Sequence, residues 1–163
     1  MEATDADFAA QFDLLQKINA KVTETHKTIN SLRDLKKQVT ASVDRLSPDA
    51  DKPTAKGIAL KEASKPLMDS VNAVENELIQ TKIKSSQDML NFPVRLNNKL
   101  MSLGSMVAGS DNRPTKQMMD MFMDLTARIE VQLARLKPII TDGLAKFNKA
   151  ALEQGSVTVQ MIE

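Results

Sequence analysis

The chain contains no cysteine, which excludes disulfide frameworks, zinc–thiolate clusters and thiol nucleophiles together. Tryptophan and tyrosine are also absent, and the only aromatic rings are five phenylalanines among 163 residues. Platforms for stacking bases are therefore scarce, as is the ring that a sugar cleft lays under a pyranose. Charge of one sign is missing too, with 22 Lys plus Arg against 21 Asp plus Glu. A net charge of +1 supplies no concentrated basic face to displace counterions, so no nucleic acid is expected as a partner. No apolar run reaches the roughly 18 residues that a membrane-spanning helix needs. The N-terminal MEATDADFAAQF is acidic where a secretory signal is basic, and it has no apolar core. Two readings of location stay open: a cytoplasmic protein, or a fragment of a longer exported one.

Candidates for chemistry are few. His26 is the single histidine, near Glu24 and Lys27, and no His-x-x-x-His or Glu-x-x-His spacing accompanies it. It reads as a solvated edge residue. Glu75 and Glu77 lie two apart, so on a helix they point away from each other and form no acid/base pair. Arg33, Lys36 and Lys37 are offset by Asp34 and Asp44 and read as a solvated face. No catalytic residue, metal ligand or cofactor is expected.

What the chain does have is helical periodicity. Phe8, Leu15, Val22, Ile29 and Val43 recur at multiples of seven, interleaved with Ile18, Leu32, Val39 and Leu46. Only Thr25 and Lys36 interrupt this stripe over about 5–46, a helix about 60 Å long. SPDADKPTAKG, with two prolines, is a loop. A second helix over about 58–83 carries Leu60, Leu67, Val71, Val74 and Leu78, with Pro66 as a kink or late start. A third, over about 93–108, carries Leu96, Leu100, Leu103 and Val107 and stops at Gly109. The last, over about 115–153, runs from Met118 and Phe122 to Leu144 and Phe147, bent at Pro138. The tail over 155–163 alternates like a strand but has no strand to pair with, so it is expected to be loose or docked on something absent. Helices two and three together measure about 63 Å, matching the first and last at about 60 Å each. The expected architecture is a single all-α domain, an elongated antiparallel bundle of three rods, the second broken near Asn91-Phe92-Pro93. The alternative is an up-down-up-down four-helix bundle.

The break itself demands an explanation. Pro93 pushes Phe92 out of the helical region and suits the first turn of the next helix. Asn91 or Asp88 can cap that turn. Phe92 is read as an apolar plug between the half-rods, with Arg95, Asn97 and Asn98 positioned to satisfy open carbonyls. These six residues, Asn91 to Pro93, Arg95, Asn97 and Asn98, form either a structural joint or an interdomain face. Four methionines crowd KQMMDMFMD. Met118 fits the core stripe, whereas Met119, Met121 and Met123 either cover the helix start or offer an adaptable patch to a protein partner.

ETHKTINSLRDLKKQV followed by ENELIQTKIKSSQDMLNFPVRLNNKLMSL resembles the C-terminal helical domain of bacterial sortilin-type proteins. Those are large, usually exported chains with a BNR-repeat β-propeller, often labelled glycosyl hydrolases. The resemblance spans about residues 8–147 and is sharpest over 75–103. It implies a non-catalytic C-terminal accessory domain that braces the chain's own N-terminal propeller, absent here, or presents a helical binding face. Met1 would then be an artificial start. Any hydrolase chemistry would belong to the propeller, with this domain as an accessory. From the residues alone, a stand-alone cytoplasmic helical adaptor is the other reading.

Overall fold

The computed structural model describes residues 3–82, 85, 87–88, 91–109 and 111–161. Among them the chain is all-α, as its composition and periodicity imply. The elements are α1 (Asp5–Asp44), α2 (Ala55–Leu78), α3 (Leu96–Ala108), α4 (Lys116–Pro138), a π turn (Ile139–Gly143) and α5 (Leu144–Gln154).

Threonine hydroxyls set three of the helix starts. Thr4 Oγ1 accepts the Asp7 amide at 3.3 Å, and the Asp7 carboxylate accepts the Thr4 amide at 3.0 Å, a reciprocal cap. These bonds from Thr4, aided by Arg113, hold the Asp7 carboxyl below its ordinary value. Thr54 accepts the Gly57 amide at 3.0 Å, and Thr115 accepts the Met118 amide at 3.2 Å. Gly57 has a steric role: a Cβ there would lie 1.9 Å from Ser47 Oγ, which closes the loop onto α2. The start of α3 is different, because Arg95 precedes it without a side-chain cap.

Pro66 neither delays nor ends α2, which continues through it to Leu78. The helix stops short of its expected end near Ile83, because residues 79–82 are already outside it; Ile83 itself lies outside the described residues. Pro138 does alter its helix. Lacking an amide hydrogen, it is followed at once by the π turn, in which the Leu144 amide reaches back to Ile139 O. The Thr141 hydroxyl donates to the Lys137 carbonyl at 3.0 Å and so satisfies one group at the irregularity. The single long helix expected over 115–153 is therefore α4 and α5 with one residue added between them.

By its contacts the chain divides into two compact units. Unit 1 comprises Met1–Lys27 and Asn76–Gln132; unit 2 comprises Thr28–Glu75 and Leu133–Glu163. In unit 1, the first part of α1 packs with α3 and the first part of α4. Gln11 Nε2 donates to Val107 O at 2.7 Å, and Ile18 Cγ2 lies 3.3 Å from where a Cβ on Gly104 would stand. Successive contacts run in opposite sequence directions, so α3 is antiparallel to α1. Asp7 meets Arg113 at 3.9 Å and Lys21 meets Glu130, so α4 is parallel to α1. In unit 2, the second part of α1 packs antiparallel to α2, and α5 follows the π turn past Leu67.

The core of α1 is Leu14, Ile18, Thr25, Ile29, Leu32, Leu35, Val39 and Ser42, all buried. Thr25 is tolerated there because its hydroxyl donates to Lys21 O at 2.7 Å. Phe8, expected on the stripe, is exposed instead. On α2 and α3 every expected stripe residue is buried.

Candidate functional site

Three places concentrate the chemistry: the joint before α3, the carboxylate Glu75, and the flank between α1 and α4–α5.

At the joint, α3 begins at Leu96 rather than Pro93. Pro93 is exposed, and its carbonyl accepts Gln80 Nε2 at 3.0 Å. Asn91 is exposed; its amide and that of Phe92 donate to Asp88 O at 3.0 and 2.9 Å. The Asp88 carboxylate accepts the Ser85 amide at 2.9 Å. Phe92 is half-buried, with Lys82 Nζ 5.7 Å from its ring centroid, and so is less than a full plug. Arg95 reaches Glu77 at 3.4 Å. Asn97, only 2% exposed, directs Nδ2 to Met101 Sδ at 3.6 Å rather than to a carbonyl. Arg95 Nε, Asn97 Oδ1 and Asn98 Oδ1 are buried without a hydrogen-bond partner among the described residues. Among the described residues, Arg95, Asn97 and Asn98 make no side-chain hydrogen bond to a carbonyl.

Glu75 is buried in unit 2 between two cations of α1. Arg33 Nε donates at 2.8 Å and Lys36 Nζ binds the other oxygen, while Asn72 also accepts from Lys36 at 3.0 Å. Burial alone would push the Glu75 carboxyl up, but the bonds and charges of Lys36 and Arg33 outweigh it and hold the group below its ordinary value. Two of the three cations read as a solvated face are thus committed to a buried carboxylate, and Lys37 pairs with Asp34 at 3.0 Å. Glu77 points to Arg95 instead, so the two glutamates diverge as their spacing implies.

The flank between α1 and α5 in unit 2 is filled by the chain's own tail, which is not loose. The helix ends at Gly155 in the left-handed region (φ 77°). The Gly155 amide donates to Leu152 O and the Ser156 amide to Ala151 O, a Schellman closure. Ser156 and Ser42 join through their hydroxyls at 2.9 Å, and Ser156 Oγ donates to Ser42 O at 2.6 Å. Asn148 then clamps both backbone groups of Val159, at 2.9 and 2.8 Å. Gln38 does the same for Gln160, at 2.9 and 3.1 Å. Val159 is buried beneath them. The last two residues of the expected tail, 162 and 163, lie outside the described residues. The SVTV alternation signals an extended segment; nothing local signals Gln38 and Asn148 as its holders.

The corresponding flank of unit 1, between α1 and α4, holds an open groove of about 390 Å³. Ala10, Leu14, Pro114, Met119, Phe122 and Met123 make its apolar wall, and Asp13, Lys17 and Arg113 its polar rim. Met119 and Met123 are 43% and 59% exposed. Met121 does not join them. It stands about 200° around α4 from each, whereas Met119 and Met123 are one turn apart. The three methionines, which the sequence offers either as cover for the helix start or as one adaptable patch, are thus divided two and one. Exposed apolar side chains concentrate in this unit, nine of the twelve large ones among the described residues.

Among the described residues, no three His, Asp or Glu side chains converge as metal ligands, and no helix is long and apolar enough to cross a membrane. Compared with known protein families, curated proteins and solved structures, the chain matches none.

Proposed function

We propose that this chain is a non-catalytic helical interaction module that presents the α1/α4 groove of unit 1 to a protein partner. The observation that carries the proposal is the groove itself: apolar, open, and bordered by two exposed methionines one helical turn apart. Contiguous apolar surface with a polar rim marks interaction sites, and methionine suits a face that must adapt to what it meets. The buried carboxylate speaks for a structural rather than a chemical role, because Glu75 is held ionised by Arg33 and Lys36, and a general acid needs the opposite shift. The resemblance over residues 24–39 and 75–103 suggests the setting, a C-terminal accessory domain of an exported β-propeller protein, but it does not identify what the groove binds.

The test is Met119→Gln combined with Met123→Gln, followed by urea unfolding and binding of a hydrophobic fluorescent dye. Each substitution is expected to change stability by less than about 0.5 kcal/mol, the usual surface value, and dye binding is expected to fall. A loss above about 2 kcal/mol would show that the methionines belong to the core, and the reading would fail.

A further inference from the structure

The two flanks differ in what they can hold. In unit 2 the occupant is an extended segment, and it stays because side-chain amides complete its backbone: Asn148 for Val159 and Gln38 for Gln160. Gln38 and Ser42 each lie 28 residues, four heptads, after Ala10 and Leu14. Asn148 lies 29 residues after Met119, four heptads plus the residue that the π turn adds. At the positions where unit 2 offers amides and a hydroxyl, the groove of unit 1 therefore offers Ala10, Leu14 and Met119. An extended chain laid there would lose hydrogen bonds from its backbone to water and regain none from these side chains. A helix carries its backbone bonds within itself and asks of a groove only apolar contact along one stripe.

We propose that the α1/α4 groove of unit 1 docks an amphipathic helix, anchored by apolar side chains at i and i+4 or i+3, with an acidic residue beside the stripe. This names the partner class for the groove just proposed as the binding site and rests on that reading. Size points the same way. With about 200 Å² for a large side chain, the exposed fractions of Met119 and Met123 amount to roughly 200 Å². A stable complex between two copies needs roughly 800 Å² from each, so this patch suits one or two turns of helix better than a second copy. Charge supplies the acidic residue. Lys17 is paired with Asp13 at 2.6 Å, whereas Arg113 is 67% exposed and only loosely held by Asp7 at 3.9 Å. Arg113 is thus the less tightly paired rim cation and the better placed to meet a further carboxylate.

The experiment selects binders to the full chain from two display libraries in parallel. One randomises a face of a fixed helical scaffold; the other is of unstructured heptapeptides. Selected binders are then measured by anisotropy against the wild type, Met123→Glu, Arg113→Glu and, as a control in unit 2, Val157→Glu. The expected result is helix-format binders carrying an apolar i, i+4 or i, i+3 pair and an acidic neighbour. Their affinity should fall at least tenfold with Met123→Glu and severalfold with Arg113→Glu, and should be unchanged by Val157→Glu. Binders that are only extended, helical binders indifferent to Met123→Glu and Arg113→Glu, or no helical binder at all would overturn the inference. So would a dimer in sedimentation that Met123→Glu dissociates, because it would make the occupant a second copy. If Met123→Glu unfolds by circular dichroism, the binding-site reading itself fails, and Arg113→Glu on a folded chain still decides the charge requirement.

Discussion

Unit 1 packs the first part of α1 with α3 and α4, and unit 2 packs the second part with α2 and α5, and the two finish the flank beside α1 in opposite ways. Unit 2 closes it with an extended tail, held by two amide clamps and a serine pair and underlain by Val159. It also ties α1 to α2 through Glu75 and two cations. Unit 1 joins α1 to α4 through Lys21 and Glu130, with Glu24 of α1 on the same cation, ties Asp7 to Arg113 at the rim of its groove, and leaves its methionines exposed. Burial by itself would lower the Lys21 pKa, but the two carboxylates outweigh it and raise it. An open apolar flank beside α1 is therefore not an unavoidable consequence of packing helices against it. A few polar residues at heptad-equivalent positions are enough to seal it, and unit 1 does not have them.

The comparison is broken most forcefully by the same truncation made once in each unit. Phe147, 1% exposed, lies in the core of unit 2, and Phe147→Ala is expected to cost about 3–5 kcal/mol. Phe12, 63% exposed in unit 1, should cost less than about 0.5 kcal/mol when truncated. Urea unfolding of both variants measures the pair, and equal losses would erase the distinction.

Next in size is Glu75→Gln, which removes charge-assisted bonds to Arg33 and Lys36. Both cations remain partly in water, so the cost is expected near 2 kcal/mol at neutral pH rather than that of a fully buried pair. The pH dependence has a definite sign. The folded carboxyl lies below its ordinary value, so its contribution is complete above about pH 4.3 and is lost as pH falls through the folded value. Stability of the wild type should therefore drop more steeply on acidification than that of Glu75→Gln. Thermal melts between pH 7 and pH 3 provide the check; parallel curves would deny Glu75 this role.

A smaller effect is expected at the tail. Asn148→Ala deletes both bonds to Val159 and should cost about 1–2 kcal/mol. The Val159 amide should exchange with deuterium faster, while amides of α3 keep their protection. Unchanged exchange at Val159 would show that the clamp does not hold the tail.

Much of this was legible in the sequence where contacts are periodic and dense. Leu60, Leu67, Val71, Val74 and Leu78 stand on one helical face by spacing alone, and all are buried. The heptad reading of α1 was less faithful. It favoured Phe8 and Val43, whereas the structure buries Leu35 and Ser42, because neighbours rather than a strict repeat decide which side of a long helix is covered. The spacing of Glu75 and Glu77 shows only that the two carboxylates diverge. The partners of Glu75 on α1 are 42 and 39 residues away and leave no mark on local periodicity. The tail escaped for the same reason, since Gln38 meets Gln160 across 122 residues. The groove is half visible in the sequence as a methionine cluster, within which helical geometry sets Met121 apart from Met119 and Met123.

The most direct test sets the two flanks against each other in one urea series on the full chain. Met119→Gln with Met123→Gln alters the open flank, and Gln38→Ala with Asn148→Ala removes the clamps from the closed one. The first pair is expected to shift unfolding by less than about 1 kcal/mol in total, and the second to lower stability by about 2–4 kcal/mol through four lost bonds. The reverse order, with the methionine pair the more damaging, would contradict the account.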